Sequence, residues 1–260
     1  MLLGEKSLLV PGKPMDGKQH MSFEQSQAIF QSKLAHHGDL SCIVAQEGEP
    51  QEPQKRLEKL LEALAQWIYK ELGRTPFEEA RLRFQQKMGQ SFPEEGSYHS
   101  HSQYFLDAFL FTESLPSSLL RTKLPLSPYA YFLERRAPML PQGQYLAFKE
   151  LGSFRHSLFR ILGFVKKELL LEDFLQPSLL WKLSSPYHWD HSLKGSFLQG
   201  FLFPLEGSYR LSSGFFLHQG EPARGKPWPR SSQDALAWAS KVYLQGKRQL
   251  ENRLRNLHPF

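Results

Sequence analysis

Two short histidine clusters have the residue types and spacing to do chemistry: His99-Ser100-His101 and His188-Trp189-Asp190-His191. On an extended segment, imidazoles two positions apart point the same way, and a carboxylate from elsewhere would complete a metal shell. Both clusters read as loops, where exposed polar residues are the default. Metal binding by His99, His101, His188, Asp190 and His191 is therefore the minor reading, and the sequence implies no cofactor. An enzyme using loops 91–102 and 184–192 is the competing functional class.

Other catalytic signals are weaker. Residues 12–18 match the first seven positions of a phosphate-binding loop, but Gln19 stands where magnesium needs a hydroxyl and Pro14 removes a backbone donor. No Gly-x-Ser-x-Gly elbow and no Gly-x-Gly-x-x-Gly fingerprint occurs, and nothing around the single cysteine, Cys42, marks a thiol nucleophile. One cysteine also excludes an intrachain disulfide, and no disulfide-linked partner is expected. Asp107 is the one charge in Tyr104-Phe105-Leu106-Asp107-Ala108-Phe109-Leu110-Phe111. It reads either as a carboxylate paired with an arginine or near a helix end, or as a catalytic or ligand group.

The positive signal is charge. The chain carries a formal +6, and residues 221–260 hold eight Lys or Arg against three Asp or Glu. Lys241, Arg248 and Arg255 recur every seven residues along the last helical segment, with Lys247 and Arg253 beside them. Arg224, Lys226 and Arg230 surround Trp228 in the preceding proline-rich loop. Such a surface suits a protein partner or the phosphates and bases of a nucleic acid. It reads as the working face of a non-enzymatic binding module, a protein-interaction domain acting through its basic C-terminal helix or an aromatic sheet, with nucleic-acid binding on the same face as the alternative.

The elements that must position these residues follow from periodicity. Residues 1–53 show little pattern and read as a poorly ordered arm. Leu57, Leu60, Leu61, Leu64, Ile68 and Leu72 recur at helical spacing until Gly73. Thr75-Pro76-Phe77-Glu78 then has the form of a capping box opening a second helix. The apolar stretch around Asp107 predicts a helix over about 102–113, and Ser127-Pro128 starts another. From His156 the period changes to two, which predicts hairpins at 158–171 and 196–217 and a strand at 179–183. Leu236, Tyr243, Leu250 and Leu257 mark the packed side of a terminal helix.

From Tyr104 onward this order resembles that of an uncharacterised bacterial protein family, in residues 105–111, 127–133, 169–175 and 194–214. The chain departs from that pattern at Ala108, Thr112, Ser196 and Gly200. The resemblance implies helices followed by sheet and transfers no activity. The expected fold is α+β: a helical part over 54–155, a small antiparallel sheet or partly open barrel over 156–220, and a basic loop and C-terminal helix over 221–260 packing on the same unit. No stretch is apolar enough for a membrane span and the N-terminus carries no recognisable secretory signal, so the expected location is cytoplasmic.

Overall fold

The computed structural model describes residues 53–116, 125–165, 168–184, 189, 191–218 and 232–257, with the backbone only for residues 232 and 250–257. The N-terminal arm, Cys42, His188, Asp190, Arg224, Lys226, Trp228 and Arg230 lie outside the described residues, as do the side chains of Arg253 and Arg255.

The fold is mixed α+β, with six α-helices and six strands among the described residues. Helix α1 (Pro53–Leu72) buries Leu57, Leu60, Leu61, Leu64 and Ile68, the face its periodicity predicts. Gly73, at φ 75°, reverses the chain so sharply that α2 (Arg74–Met88) begins at the next residue. The capping box at Thr75 does not form. The glycine turn sets the helix start two residues too early for it, and Arg74 pairs with Glu78 instead. Phe77 thereby meets Phe105 and Phe109 with ring centroids 5.1 and 5.3 Å apart.

Helix α3 (Tyr98–Phe111) is the apolar stretch around Asp107, and it begins four residues before the predicted start. Ser127 caps α4 (Pro128–Arg135) by accepting from Ala130 N at 3.1 Å. A 3-10 turn (Ala137–Met139) leads to α5 (Gln142–Leu151).

The strands are β1 (Arg155–Val165), β2 (Glu168–Asp173), β3 (Leu180–Ser184), β4 (Phe197–Leu205), β5 (Ser208–Leu211) and β6 (Phe216–His218). Strand β1 is long enough to pair twice. Its first half runs antiparallel to β4, and its second half antiparallel to β2. A register shift between Ile161 and Gly163 bends it from one partner towards the other. The sheet order β1-β2-β3-β5-β4 returns to β1, so five strands close a barrel, with β6 added beside β4. The sheet is mixed rather than wholly antiparallel, because β3 meets β5 in parallel at Leu183 and Tyr209. This is the Greek-key connectivity of an OB-type barrel.

Alternation sorts the side chains. Phe159, Ile161, Leu169, Leu171, Leu183, Leu198, Leu202 and Leu211 fill the interior. Phe201, Phe203 and Phe216 point outward and are fully buried beneath the helices. Strand β4 is therefore covered on both faces, which explains its near-continuous apolar sequence. Those phenylalanines are core and present no aromatic sheet surface to a partner. C-terminal helix α6 (Ser232–Leu257) seats Leu236 beside Leu158 and Phe197.

Helix and sheet layers approach tightly at Gly214, where an added Cβ would lie 2.3 Å from the Tyr104 amide nitrogen of α3. Gly214→Ala is expected to lower the urea-unfolding free energy by about 1–3 kcal/mol or more, since a backbone cannot yield as a side chain can. Gly143→Ala, at a helical position with nothing within 4 Å, is expected to raise it by about 0.4–1 kcal/mol. Equal effects of the two substitutions on the urea midpoint would contradict the packing described.

Candidate functional site

The outward face of β4 carries one polar side chain among phenylalanines, Gln199, and it is fully buried. Its Oε1 accepts from His218 Nε2 at 3.1 Å. Its Nε2 lies 3.0 Å from Tyr104 Oη, 2.9 Å from Leu236 O and 2.8 Å from Ser240 Oγ. An amide has two hydrogens for these three acceptors, so one hydrogen is shared. Tyr104 Oη donates its hydroxyl hydrogen bond to His156 Nε2 at 2.6 Å, and that ring stacks on Phe201 with centroids 4.0 Å apart. One amide thus joins α3, β4, β6 and α6, with β1 attached through the tyrosine.

Burial sets the protonation of this network. It pushes His156 down to about 3, with help from Lys87, and His218 down to about 4. Both rings are neutral at ordinary pH. Neutrality leaves His156 Nε2 free to accept, while the carbonyl of Gln199 requires His218 Nε2 to carry hydrogen. Burial also raises the Tyr104 phenol well above its ordinary range. Tyr104, at 0% exposure, offers no surface to a substrate.

Asp107 is the second buried polar site. Its carboxyl is fully buried, receives Gln103 Nε2 at 3.3 Å, and receives the Ser212 hydroxyl on its other oxygen. No arginine pairs with it among the described residues. Desolvation pushes its pKa up to about 7, against the lowering effect of the Ser212 and Gln103 hydrogen bonds. Ser212 Oγ also accepts from Gly214 N at 3.2 Å. Asp107 therefore pins the 212–214 segment to α3 beside the tight seat of Gly214.

The histidine clusters do not converge where they are described. His99 and His101 belong to α3, not to an extended loop, and residues two apart on a helix face about 200° away from each other. His99 is exposed. His101 is buried, with Nε2 2.9 Å from Gly89 O, and desolvation pushes its pKa down to about 4. His191 lies against Phe164, with centroids 4.8 Å apart. Among the described residues, no three His, Cys, Asp or Glu side chains are placed to hold a metal ion.

The basic helix face is also altered by tertiary contact. Arg248 Nε donates to Glu95 Oε1 at 2.6 Å, its NH2 group donates to Gln90 O, and its guanidinium lies 5.5 Å from the Phe92 ring centroid. Burial alone would raise the Glu95 pKa, but hydrogen bonds from Arg248, Phe92 N and Ser91 hold it below the usual carboxylate range. Arg248 is thus a brace between α6 and the 90–95 loop. Lys241 and Lys247 are exposed, the latter 5.7 Å from the Tyr243 ring centroid.

The uncovered side of the barrel is the remaining surface. Helices α1, α3 and α5 pack on β4, and α6 packs on β1 and β6, while β2 and β3 carry no comparable helix packing among the described residues. Their outward side chains are Leu170, Glu172, Leu180 and Lys182, with Leu180 60% exposed and Glu172 3.6 Å from Arg160. Trp181, in register with Leu171, turns instead to the interior side at one end of the barrel, where it packs edge-on to Tyr209 with centroids 4.8 Å apart and the exposed Arg155 places its guanidinium 5.2 Å from the Trp181 ring centroid. Sequence reasoning missed this cluster because its members come from three strands separated by up to fifty-four positions. The only local signal was an isolated tryptophan in a short strand.

These features define an α+β protein with a helix-backed, OB-type barrel. No known protein family, characterised protein or solved structure matches the chain.

The buried carboxyl gives a testable pH dependence. The unfolded-state pKa of Asp107 is near 3.8 and the folded value is higher, so its contribution favours the fold in acid and is lost as pH rises through about 7. Asp107→Asn, which cannot ionise, is expected to gain about 2–4 kcal/mol relative to wild type between pH 4 and pH 8. Urea unfolding at the two pH values checks it. A difference between variant and wild type that does not change with pH would contradict the assignment.

Proposed function

We propose that the chain is a non-enzymatic binding module that takes single-stranded nucleic acid on the helix-free side of its barrel. One observation carries the reading: among the described residues the helices pack on β4, β1 and β6 and not comparably on the outer face of β2 and β3, the face on which OB-type barrels receive oligomers. Such connectivity hosts many functions, so the side chains must bear the argument. Lys182 lies on that outer face, and Arg155, Trp181 and Tyr209 meet at the adjoining mouth of the barrel, combining cations with half-buried rings, the pairing that tracks a backbone while bases stack. Lys166 and Lys167 lie in the chain between β1 and β2, and the formal charge of +6 favours a polyanion.

Docking of a protein partner on the same side is the second reading. It is favoured by Leu180 and Val165, 60% and 46% exposed. The basic face of α6 supports either reading less than its sequence suggests, since Arg248 is held by Glu95. No described helix is long and apolar enough to cross a membrane. Kinship with the uncharacterised bacterial family belongs to the same proposal, supported by the order of helices before barrel, and so does a cytoplasmic location, for which the use of a single cysteine speaks.

Fluorescence anisotropy with a labelled oligothymidylate of about 15 nucleotides, titrated across salt, tests the first reading. Wild type is expected to bind with a negative salt slope. Arg155→Gln with Lys182→Gln should flatten the log–log slope by about 0.7 for each phosphate that is no longer neutralised. Lys241→Gln with Lys247→Gln should leave the slope unchanged. No binding at low salt, or sensitivity to the α6 pair alone, would reject the barrel as a nucleic-acid surface and leave the protein partner.

A further inference from the structure

Helix α6 is seated on hydrogen bonds and ion pairs whose protonation states all act in one direction. Gln199 reaches up to Leu236 O and Ser240 Oγ, and its orientation depends on the Nε2 hydrogen of His218. His218 also lies edge-on to Tyr243, with centroids 5.5 Å apart, while Tyr243 stacks on Phe216 at 4.8 Å. One turn further along, Leu244 closes over Gly89, where an added Cβ would sit 3.0 Å from its Cδ1. The carbonyl of Gly89 is the partner of His101. Glu95, in the loop that follows, holds Arg248. His218 thus lies against α6, Glu95 holds its Arg248, and His101 is joined to it through Gly89.

We propose that α6 is an acid-released latch, seated while His101 and His218 are neutral and Glu95 is ionised, and let go when those groups take up protons.

The surroundings support the direction. A proton on His101 would face the cations Arg81 and Arg248, with Glu95 as the one opposing charge. On His218 it would lie between an amide and a phenol ring, opposed by burial alone. Across the joint, Lys87 of α2 donates to Gln233 of α6 at 3.2 Å, a contact that acid leaves intact. Both histidines have folded-state pKa values pushed down to about 4 from an ordinary 6.5. Their stabilising contribution is therefore complete above 6.5 and is lost as pH falls towards 4. Glu95, held low, acts in the same sense: its contribution is present above its ordinary value and fades below it.

Asp107 does the reverse. It lies under α3 against Ser212, and its raised pKa favours the folded state in acid. His156, pushed down to about 3, also withdraws stability as pH falls below 6.5, at the joint of α3 with β1, and Asp107 offsets it there with the opposite sign. The barrel and α3 therefore change little while α6 leaves.

Hydrogen exchange of the full chain at pH 6, 5.5 and 5, corrected for intrinsic rates, reads this directly. In wild type, the opening constant of α6 amides 237–244 is expected to rise by about 10-fold per pH unit for each histidine, hence about 100-fold for both. Amides 105–110 of α3 should keep their protection. His101→Gln and His218→Gln each preserve a donor without a titratable ring. Either alone should reduce the rise to about 10-fold, and the pair should nearly abolish it. The proposal is overturned if α6 exchange in wild type is indifferent to pH, if α3 opens in parallel, or if the double variant keeps the wild-type dependence. Should a variant fail to fold, the wild-type comparison of α6 with α3 decides alone.

Discussion

Everything in this architecture leans on one primary amide. Gln199 sits on a strand whose other outward residues are phenylalanines, with no access to water. Leaving either end of a buried amide unpaired costs about 1–3 kcal/mol. The groups that satisfy it come from β6, α3 and α6, three elements between 19 and 95 positions away in the chain. An apolar side chain at this point would be content with many arrangements of the helices. A glutamine accepts the one that places Tyr104, His218, Leu236 and Ser240 around it.

Satisfying that amide makes the barrel two-sided. Its β4 face is sealed by α1, α3, α5 and α6, and the seal includes the tight seat of Gly214 on α3 and the buried Asp107–Ser212 contact. With the helical mass committed to one side, β2 and β3 keep their outer face. The polar groups in the seal do not pair with cations; they are hydrogen-bonded and neutral or raised in pKa, so their stability responds to acid and base with opposite signs. The outer side of β2 and β3 instead carries Glu172, Leu180 and Lys182, with the half-buried rings of Trp181 and Tyr209 at the adjoining barrel mouth. The proposed function assigns recognition to that half of the barrel.

Much of this was readable locally. The leucine spacing of α1 and the Ser127-Pro128 start of α4 gave their elements directly, because the signal for each lies within a few residues. The two hairpins were legible for the same reason. Closure was not: the parallel meeting of β3 with β5 and the double pairing of β1 join residues whose local pattern is identical to that of an open sheet. The start of α3 was obscured because Tyr98-His99-Ser100-His101 looks like loop until Gly89 buries one of its histidines. Arg248 followed a seven-residue repeat that suggested a solvated stripe, and Glu95, 153 positions earlier, captured it. The cluster around Trp181 at the barrel mouth became visible only once three strands were side by side.

The division into a sealed and a recognising side is most directly tested by solution NMR of the labelled protein with increasing oligothymidylate. The account predicts amide shift changes in residues 168–173 and 180–184, with α1 and α2 unmoved. Changes confined to the helical side, or to α6, would contradict it.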